Sequence, residues 1–123
     1  MSSTTVLFVD DDDFIRGAYV DLLRDEGFSV VEASDGSEAL RAASAISGEV
    51  LLVLDEEMPR MRGTEVLDLI DSRPDAARFR VVIISGSVNV EIYSRRRAIR
   101  IHAVVPKPFT ADELLSTLHR LAA

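Results

Sequence analysis

Carboxylates, a hydroxyl and an ammonium each follow a short apolar run in this chain of 123 residues. The acids are Asp10–Asp13 and Asp55, the hydroxyl belongs to Ser85, and the ammonium belongs to Lys107. Short runs of Val, Leu and Ile predict strands that are buried on both faces of a parallel sheet. Because open α/β sheets bind ligands at the carboxyl ends of their strands, these polar groups are expected to converge on one edge of the sheet.

The adjacent carboxylates Asp10–Asp13 predict a cation site. Like charges held so close together repel each other and raise at least one pKa, and a divalent cation relieves that repulsion. Oxygen ligands with no cysteine or histidine nearby favour a hard ion, and Mg²⁺ is the ion expected. Asp55 is expected to supply a further carboxylate ligand. The alternative is a solvated turn in which one aspartate caps a helix.

Asp55 is the residue on which covalent chemistry is expected. A carboxylate beside a metal can attack phosphorus and form an aspartyl phosphate, while the metal screens the charge of the incoming phosphoryl group. Ser85 offers a hydroxyl to one phosphoryl oxygen, and Lys107 offers a point charge to another. Ser85 or Lys107 alone would be an ordinary residue at a strand end. The prediction of a phosphoryl site depends on their common placement at the ends of strands.

The elements that position these groups alternate along the chain. Strands are expected at Thr5–Val9, Phe28–Ala33, Val50–Leu54, Val81–Ile84 and Ile101–Val105. Helices are expected after Asp13, after Ser37, from a cap at Thr64, over Val88–Arg100, and after a capping box formed by Thr110 and Glu113. This alternation predicts one α/β domain over residues 1–123, a doubly wound parallel sheet with helices on both faces.

The composition of the chain limits the classes of molecule that it is expected to bind. The net charge of −7 argues against nucleic acid and anionic membranes, and favours a protein partner or a cation. The chain has no cysteine, which excludes disulfides and thiol chemistry, and no apolar stretch approaches the length of a membrane span. A cytoplasmic location is therefore expected. An output domain directly after the last predicted helix is not expected, and both a stand-alone protein and a piece of a larger regulator or hybrid kinase stay open.

The order and spacing of four motifs resemble the response-regulator receiver domains of two-component signalling. Phe8–Arg16 resembles their acidic first loop, and Leu54–Gly63 resembles their phosphoacceptor segment, Asp-x-x-Met-Pro-x-Met-x-Gly. Ile84–Gly86 matches their hydroxyl plus small-residue position, and Lys107–Phe109 matches their Lys-Pro-Phe signature. The resemblance covers essentially the whole chain and implies a flavodoxin-like (βα)₅ fold with strand order 2-1-3-4-5.

The resemblance implies a role for each site residue. Asp55 is implied to be the phosphoacceptor, Ser85 the switch hydroxyl, and Lys107 the residue that pairs with the phosphate, followed by a cis peptide to Pro108.

The metal ligands are implied in the same way. Asp11 is implied to bind Mg²⁺ directly and Asp10 largely through water, and the backbone carbonyl of Glu57 is implied to complete the shell to which Asp55 also contributes. The side chains of Glu57 and Ser87 are implied to point towards the site and to tune the rate of dephosphorylation.

The implied function is a phosphoacceptor of a two-component system or phosphorelay rather than an enzyme, with only self-catalysed transfer and autodephosphorylation. A sensor histidine kinase or a histidine phosphotransfer protein is the implied donor. Phosphorylation is implied to change the surface of the predicted fourth helix, fifth strand and fifth helix, where a downstream protein docks. A monomer or a phosphorylation-dependent dimer is expected.

Three features of the sequence stand out against the family pattern. Val104 stands three residues before Lys107, where many receivers carry an aromatic residue, and a stiff valine makes the usual aromatic switch doubtful. Arg100-Ile101 replaces the commoner Gly-Ala, which indicates a different turn before the fifth strand. Arg95–Arg97 is interpreted as a solvated helix face, with a basic docking patch as the alternative.

Two other functions are kept as alternatives. The first is a receiver-fold adaptor that works without phosphorylation, which Val104 favours and the intact acids, Ser85 and Lys107 disfavour. The second is a haloacid-dehalogenase-type phosphatase with Asp10 as nucleophile and Asp12 as acid/base, although Phe14 stands where that motif usually has Thr or Val.

Overall fold

Five parallel strands form a single sheet in the order β2-β1-β3-β4-β5. The structure is a computed structural model that describes residues 4–86 and 99–122, with Arg100 described by its backbone alone. The strands are β1 (Thr4–Val9), β2 (Ser29–Ala33), β3 (Glu49–Asp55), β4 (Phe79–Ser85) and β5 (Arg100–Pro106). The predicted doubly wound sheet and its strand order are confirmed.

Four helices and one short turn of 3₁₀ helix are described. They are α1 (Asp13–Asp25), α2 (Gly36–Ala45), α3 (Gly63–Asp71), the 3₁₀ turn Ala76–Arg78 and the C-terminal helix (Ala111–Ala122). The helix predicted over 88–100, together with Ser87 and Arg95–Arg97, lies outside the described residues except for its last two positions. Among the described helices, none combines the length and apolar character that crossing a membrane requires.

Each strand of the sheet packs on both faces, as the apolar runs predicted. In β1, Leu7 and Val9 face the cluster that contains α2 and α3, whereas Val6 and Phe8 face the cluster that contains α1 and the C-terminal helix. Alternate residues of a strand point to opposite faces, so two cores sandwich the sheet. Fully burying one such aliphatic side chain stabilises the fold by about 1.5–3 kcal/mol.

Local sequence signals place most helix ends. The predicted capping box is present, because Glu113 N donates to Thr110 Oγ1 at 3.1 Å and Thr110 N donates to Glu113 Oε1 at 3.2 Å. Gly27 follows α1 with a φ of 95°, a left-handed conformation that favours glycine.

The prediction that Thr64 caps α3 is wrong. The helix begins at Gly63, after Arg62, whose side chain makes no capping hydrogen bond. The buried carboxylate of Glu56 caps it instead, because its Oε2 accepts from Thr64 N at 2.9 Å. Gly63 is needed there, since a Cβ at that position would lie 2.7 Å from Glu56 Oε2 and 3.0 Å from the Asp55 carbonyl oxygen. The cap ties α3 to the residue that directly follows Asp55.

Candidate functional site

The register of the sheet brings the predicted site residues to one edge. Val9 pairs with Leu54, so Asp10, which follows β1, lies at the same level as Asp55, the last residue of the neighbouring β3. Ser85 ends β4 and pairs with Pro106, which directly precedes Lys107. Lys107 N also donates to Ser85 O at 2.9 Å, which extends the ladder by one residue. The parallel pairing therefore gathers the acids, the hydroxyl and the ammonium at the carboxyl end of the sheet.

The four adjacent acids lie in four different environments. Asp10 is buried and accepts from Asp12 N at 2.9 Å, whereas Asp11 is exposed. Asp12 caps α1, since its Oδ1 accepts from Ile15 N at 2.9 Å. Asp13 lies in the first turn of α1 and pairs with Arg16 at 2.7 Å. The helix cap that the sequence left open as an alternative is therefore present at Asp12, and Asp10 and Asp11 are the residues of the run that are left as candidates for a cation site.

Asp10, Asp11 and Asp55 form a carboxylate cluster, with one oxygen from each lying within 4.8 Å of the others. Ligands on opposite sides of a Mg²⁺ ion lie about 4.2 Å apart, so the donor type and spacing of this cluster fit a hard divalent cation. Burial raises the pKa of Asp10, and the charges of Asp55 and Asp11 add to the effect, although the bond from Asp12 N opposes it. The repulsion predicted from the sequence is present, but burial is the larger cause.

Asp55 is held on one of its two oxygens. Its Oδ1 accepts from Lys107 Nζ at 3.0 Å and from Glu57 N at 3.1 Å. Among the described residues, no hydrogen bond reaches its Oδ2. Burial raises the pKa of Asp55, and the bonds from Lys107 and Glu57 N act in the opposite direction. The donors from Lys107 and Glu57 therefore fix the orientation of the Oδ1 atom.

The side chain of Glu57 reaches across to the end of β4. Its Oε1 accepts from Gly86 N, and Ser85 Oγ donates to the same atom at 3.4 Å, near the long limit for a hydrogen bond. Ser85 is buried, whereas Glu57 is exposed. The expectation that the Glu57 side chain points towards the site agrees with this geometry.

A cavity of about 470 Å³ opens beside the cluster. Asp10, Asp55 and Lys107 line its polar side, and Tyr19 and Phe109 line its apolar side with ring centroids 5.4 Å apart. A ligand with a small charged group could therefore place that group beside the carboxylates while the rest of the ligand contacts the apolar side of the cavity.

Arg16 is a site residue that the sequence reasoning missed. Its guanidinium donates to the backbone oxygen of Asp10 at 2.8 Å and to Glu32 at 3.0 Å, in addition to Asp13. These bonds join the turn after β1 to β2. The spacing of three residues between Asp13 and Arg16 on a helix was a usable signal, but the contacts with Asp10 and Glu32 depend on the fold.

A family model described as the response regulator receiver domain matches residues 6–119. The match spans most of the chain, and the protein belongs to this family. Receiver domains are signalling domains of two-component systems and not classical enzymes.

Three relatives illustrate the similarity. The sensor kinase CckA of Brucella abortus is 33% identical over 121 residues, which cover 97% of this chain but only 12% of CckA. The structure of the chemotaxis protein CheY4 of Vibrio cholerae has a TM-score of 0.82 and 28% identity, and the match covers 98% of both chains. The response regulator TrrA of Thermotoga maritima, in complex with Mg(2+)-BeF, has a TM-score of 0.75 and 27% identity over 97% of this chain and 98% of that chain.

Proposed function

We propose that this chain accepts a phosphoryl group on Asp55 from the phosphohistidine of a sensor histidine kinase or a histidine phosphotransfer protein. The observation that carries the proposal is the surroundings of the Asp55 carboxylate. A carboxylate oxygen from each of Asp10 and Asp11 lies within 4.8 Å of one of its oxygens, and the ammonium of Lys107 contacts it at 3.0 Å. This combination suits a nucleophile that must receive an anionic group.

Mg²⁺ is the cofactor proposed for this chemistry. Asp10, Asp11 and Asp55 would hold it, with the backbone carbonyl of Glu57 as a further ligand. When bound, the ion supplies positive charge that offsets the negative charge of the carboxylates and the phosphoryl group. The structure of TrrA was solved in complex with Mg(2+)-BeF, which supports the proposal of Mg²⁺ as cofactor here.

The residues of the chain position the groups that react. An oxygen of Asp55 forms a bond to phosphorus while the bond from phosphorus to the donor imidazole nitrogen breaks, and that nitrogen keeps the electron pair. Lys107, the Ser85 hydroxyl and the N–H of Gly86 are the donors that would bind the phosphoryl oxygens. Phosphoryl transfer depends mainly on such positioning and charge stabilisation, and these residues would supply both.

The donor protein is proposed to approach over the start of α1. Phe14 is 86% exposed there, and Ile15 lines the cavity beside the cluster. An apolar rim next to a charged site suits a protein carrier better than a small free donor. A cytoplasmic location, where kinases of this class act, is proposed together with this partner.

The output is proposed to follow from movement of Ser85 and Lys107 towards the phosphoryl group. Because Lys107 N donates to Ser85 O, the ends of β4 and β5 would move together. The surface of β5 and the C-terminal helix, together with that of the helix predicted from the sequence over 88–100, is proposed to change its affinity for a downstream protein or a second copy of the chain. This is a shift between two populations that the phosphoryl contacts bias.

The test is intact-mass spectrometry after incubation with acetyl phosphate, with and without Mg²⁺. The proposal expects one added phosphoryl group that requires both Mg²⁺ and Asp55, and its loss in Asp55→Asn. Asp25→Asn, which removes an exposed acid at the end of α1, is the matched control and should label normally. Unchanged labelling of Asp55→Asn would overturn the proposal.

Two outcomes bear on the alternatives. A correctly folded protein that neither acetyl phosphate nor a kinase can label would favour the adaptor function. The phosphatase alternative needs Asp12 as acid/base beside Asp10, but the Asp12 carboxylate is used as the cap of α1. Turnover of a phosphate ester by Asp55→Asn would favour it nonetheless.

A further inference from the structure

We propose that the Glu57 carboxylate occupies, in the unphosphorylated protein, the hydrogen-bond donors that a phosphoryl group on Asp55 would use. Glu57 would then be an internal competitor that must leave before the phosphoryl oxygens can bind. The inference rests on the proposed function of Asp55 and adds a residue that sets the affinity of the site for its anionic group.

The contacts of Glu57 carry the inference. Its Oε1 accepts from the backbone N–H of Gly86 and from the hydroxyl of Ser85, which lies 3.4 Å away. Both donors belong to the carboxyl end of β4, next to Asp55 on β3. A carboxylate oxygen and a phosphoryl oxygen are both anionic acceptors, so the same two donors cannot serve both groups fully at once.

The backbone keeps the carboxylate in this place. Glu57 N donates to Asp55 Oδ1 at 3.1 Å, which fixes the start of the side chain relative to the nucleophile. Gly86 leaves the room for the other end, because a Cβ there would lie 3.1 Å from Glu57 Oε1. The side chain therefore spans from β3 to β4 over the site.

The negative charge of Glu57, like its position, opposes the binding of a phosphoryl group beside Asp55. Its carboxylate lies at the Gly86 and Ser85 donors beside Asp55, so a second anion that arrives there meets the negative charge of Glu57. Bonds to an ionised carboxylate are stronger than neutral ones, so their loss is a measurable cost when the phosphoryl group binds.

The test is the affinity for beryllium trifluoride, a phosphoryl analogue, at saturating Mg²⁺, followed by fluorine NMR. Glu57→Ala is expected to bind the analogue about tenfold more tightly than the wild type, because the analogue then displaces no carboxylate from the Gly86 and Ser85 donors. Glu57→Gln keeps the shape but loses the charge and should lie between the two. Glu65→Gln, which removes an exposed charge in the first turn of α3, is the matched control and should bind like the wild type.

A second readout needs no ligand. The amide proton of Gly86 is expected to shift upfield in metal-free Glu57→Ala, because it loses a charged acceptor, and to stay unchanged in Glu65→Gln. Equal or weaker binding of the analogue by Glu57→Ala would overturn this inference alone. Failure of every variant to bind the analogue, with Mg²⁺ bound and the fold intact, would overturn both this inference and the proposed function.

Discussion

The Nζ atom of Lys107, which follows β5, lies 3.0 Å from Oδ1 of Asp55, which ends β3, although β4 separates these two strands. The lysine side chain therefore reaches across the end of β4. Its own side chain is 38% exposed, whereas that of Asp55 is 6% exposed. The contact therefore links the ends of three strands and sets the charge at the centre of the site.

Lys107 is the only lysine in the chain, which makes its ionisation measurable by itself. Burial acts to lower its pKa, but the bond to Asp55, aided by the charges of Asp55, Glu57 and Asp10, raises the pKa above its usual value. Asp55→Asn is expected to lower that pKa. The measurement is a pH titration by NMR of protein that carries ¹³C-methyl groups on Lys107. An unchanged titration in Asp55→Asn would contradict the contact.

Asp10→Asn is expected to weaken Mg²⁺ binding by about 10–100-fold, the usual cost of losing a group that supports a metal. The measurement is calorimetric titration with Mg²⁺. Asp21→Asn, an exposed acid of α1, is the control and should bind normally. Wild-type affinity in Asp10→Asn would argue against a role for this carboxylate in the metal site.

The same substitution is expected to change how stability depends on pH in the absence of metal. Below about pH 4 the Asp10 carboxyl is protonated in both the folded and the unfolded chain. As the pH rises, the unfolded chain loses its proton first, because burial raises the folded-state pKa. The stability that Asp10 contributes therefore falls between about pH 4 and that raised pKa, and urea unfolding of Asp10→Asn should show a smaller fall.

Arg16→Met is expected to lower the free energy of unfolding by about 1–3 kcal/mol, since charged hydrogen bonds to Asp10 O and Glu32 are lost. Arg16→Lys should recover little of it, because one ammonium cannot replace a planar guanidinium with several donors. Mg²⁺ affinity is expected to fall in both variants as the turn after β1 loosens. Arg24→Met, on the same helix with a bond to Val30 O, is the control and should leave the affinity unchanged.

Asp75 is expected to give stability that is lost in acid. The guanidinium groups of Arg73 and Arg78 hold its pKa well below the usual range. Its contribution is therefore complete above about pH 4, the usual carboxyl range, and disappears as the pH falls towards the lowered pKa. Urea unfolding between pH 2 and pH 6 should show a smaller pH effect for Asp75→Asn than for the wild type. Identical pH profiles would contradict this.

The sequence predicted the sheet well because its signals are local. Apolar runs, helical spacing and caps such as Thr110 with Glu113 act within a few residues, and the family resemblance supplied the strand order. The cap of α3 was mispredicted because Glu56 lies eight residues before its partner Thr64. Such a contact depends on the path of the chain after β3, which no local pattern encodes.

The candidate site, like the sheet, was predictable where the signal is local and not where it depends on the folded chain. Strand-end placement was enough to bring Asp10, Asp55 and Lys107 together. The cause of the raised pKa of Asp10 was not predictable, because burial depends on how the sheet packs. Val104 is half-buried against the side of the core that includes α2 and α3. That this valine does not act as the usual aromatic switch stays a prediction.

The most direct test of the central claim is to locate the phosphoryl group by residue. The protein is labelled with acetyl phosphate and Mg²⁺, the acyl phosphate is reduced with borohydride, and the peptides are sequenced by mass spectrometry. Reduction converts a phosphorylated aspartate to homoserine, and this account predicts homoserine at position 55 only when Mg²⁺ is present. Homoserine at position 10, or labelling that leaves Asp55 unmodified, would contradict it.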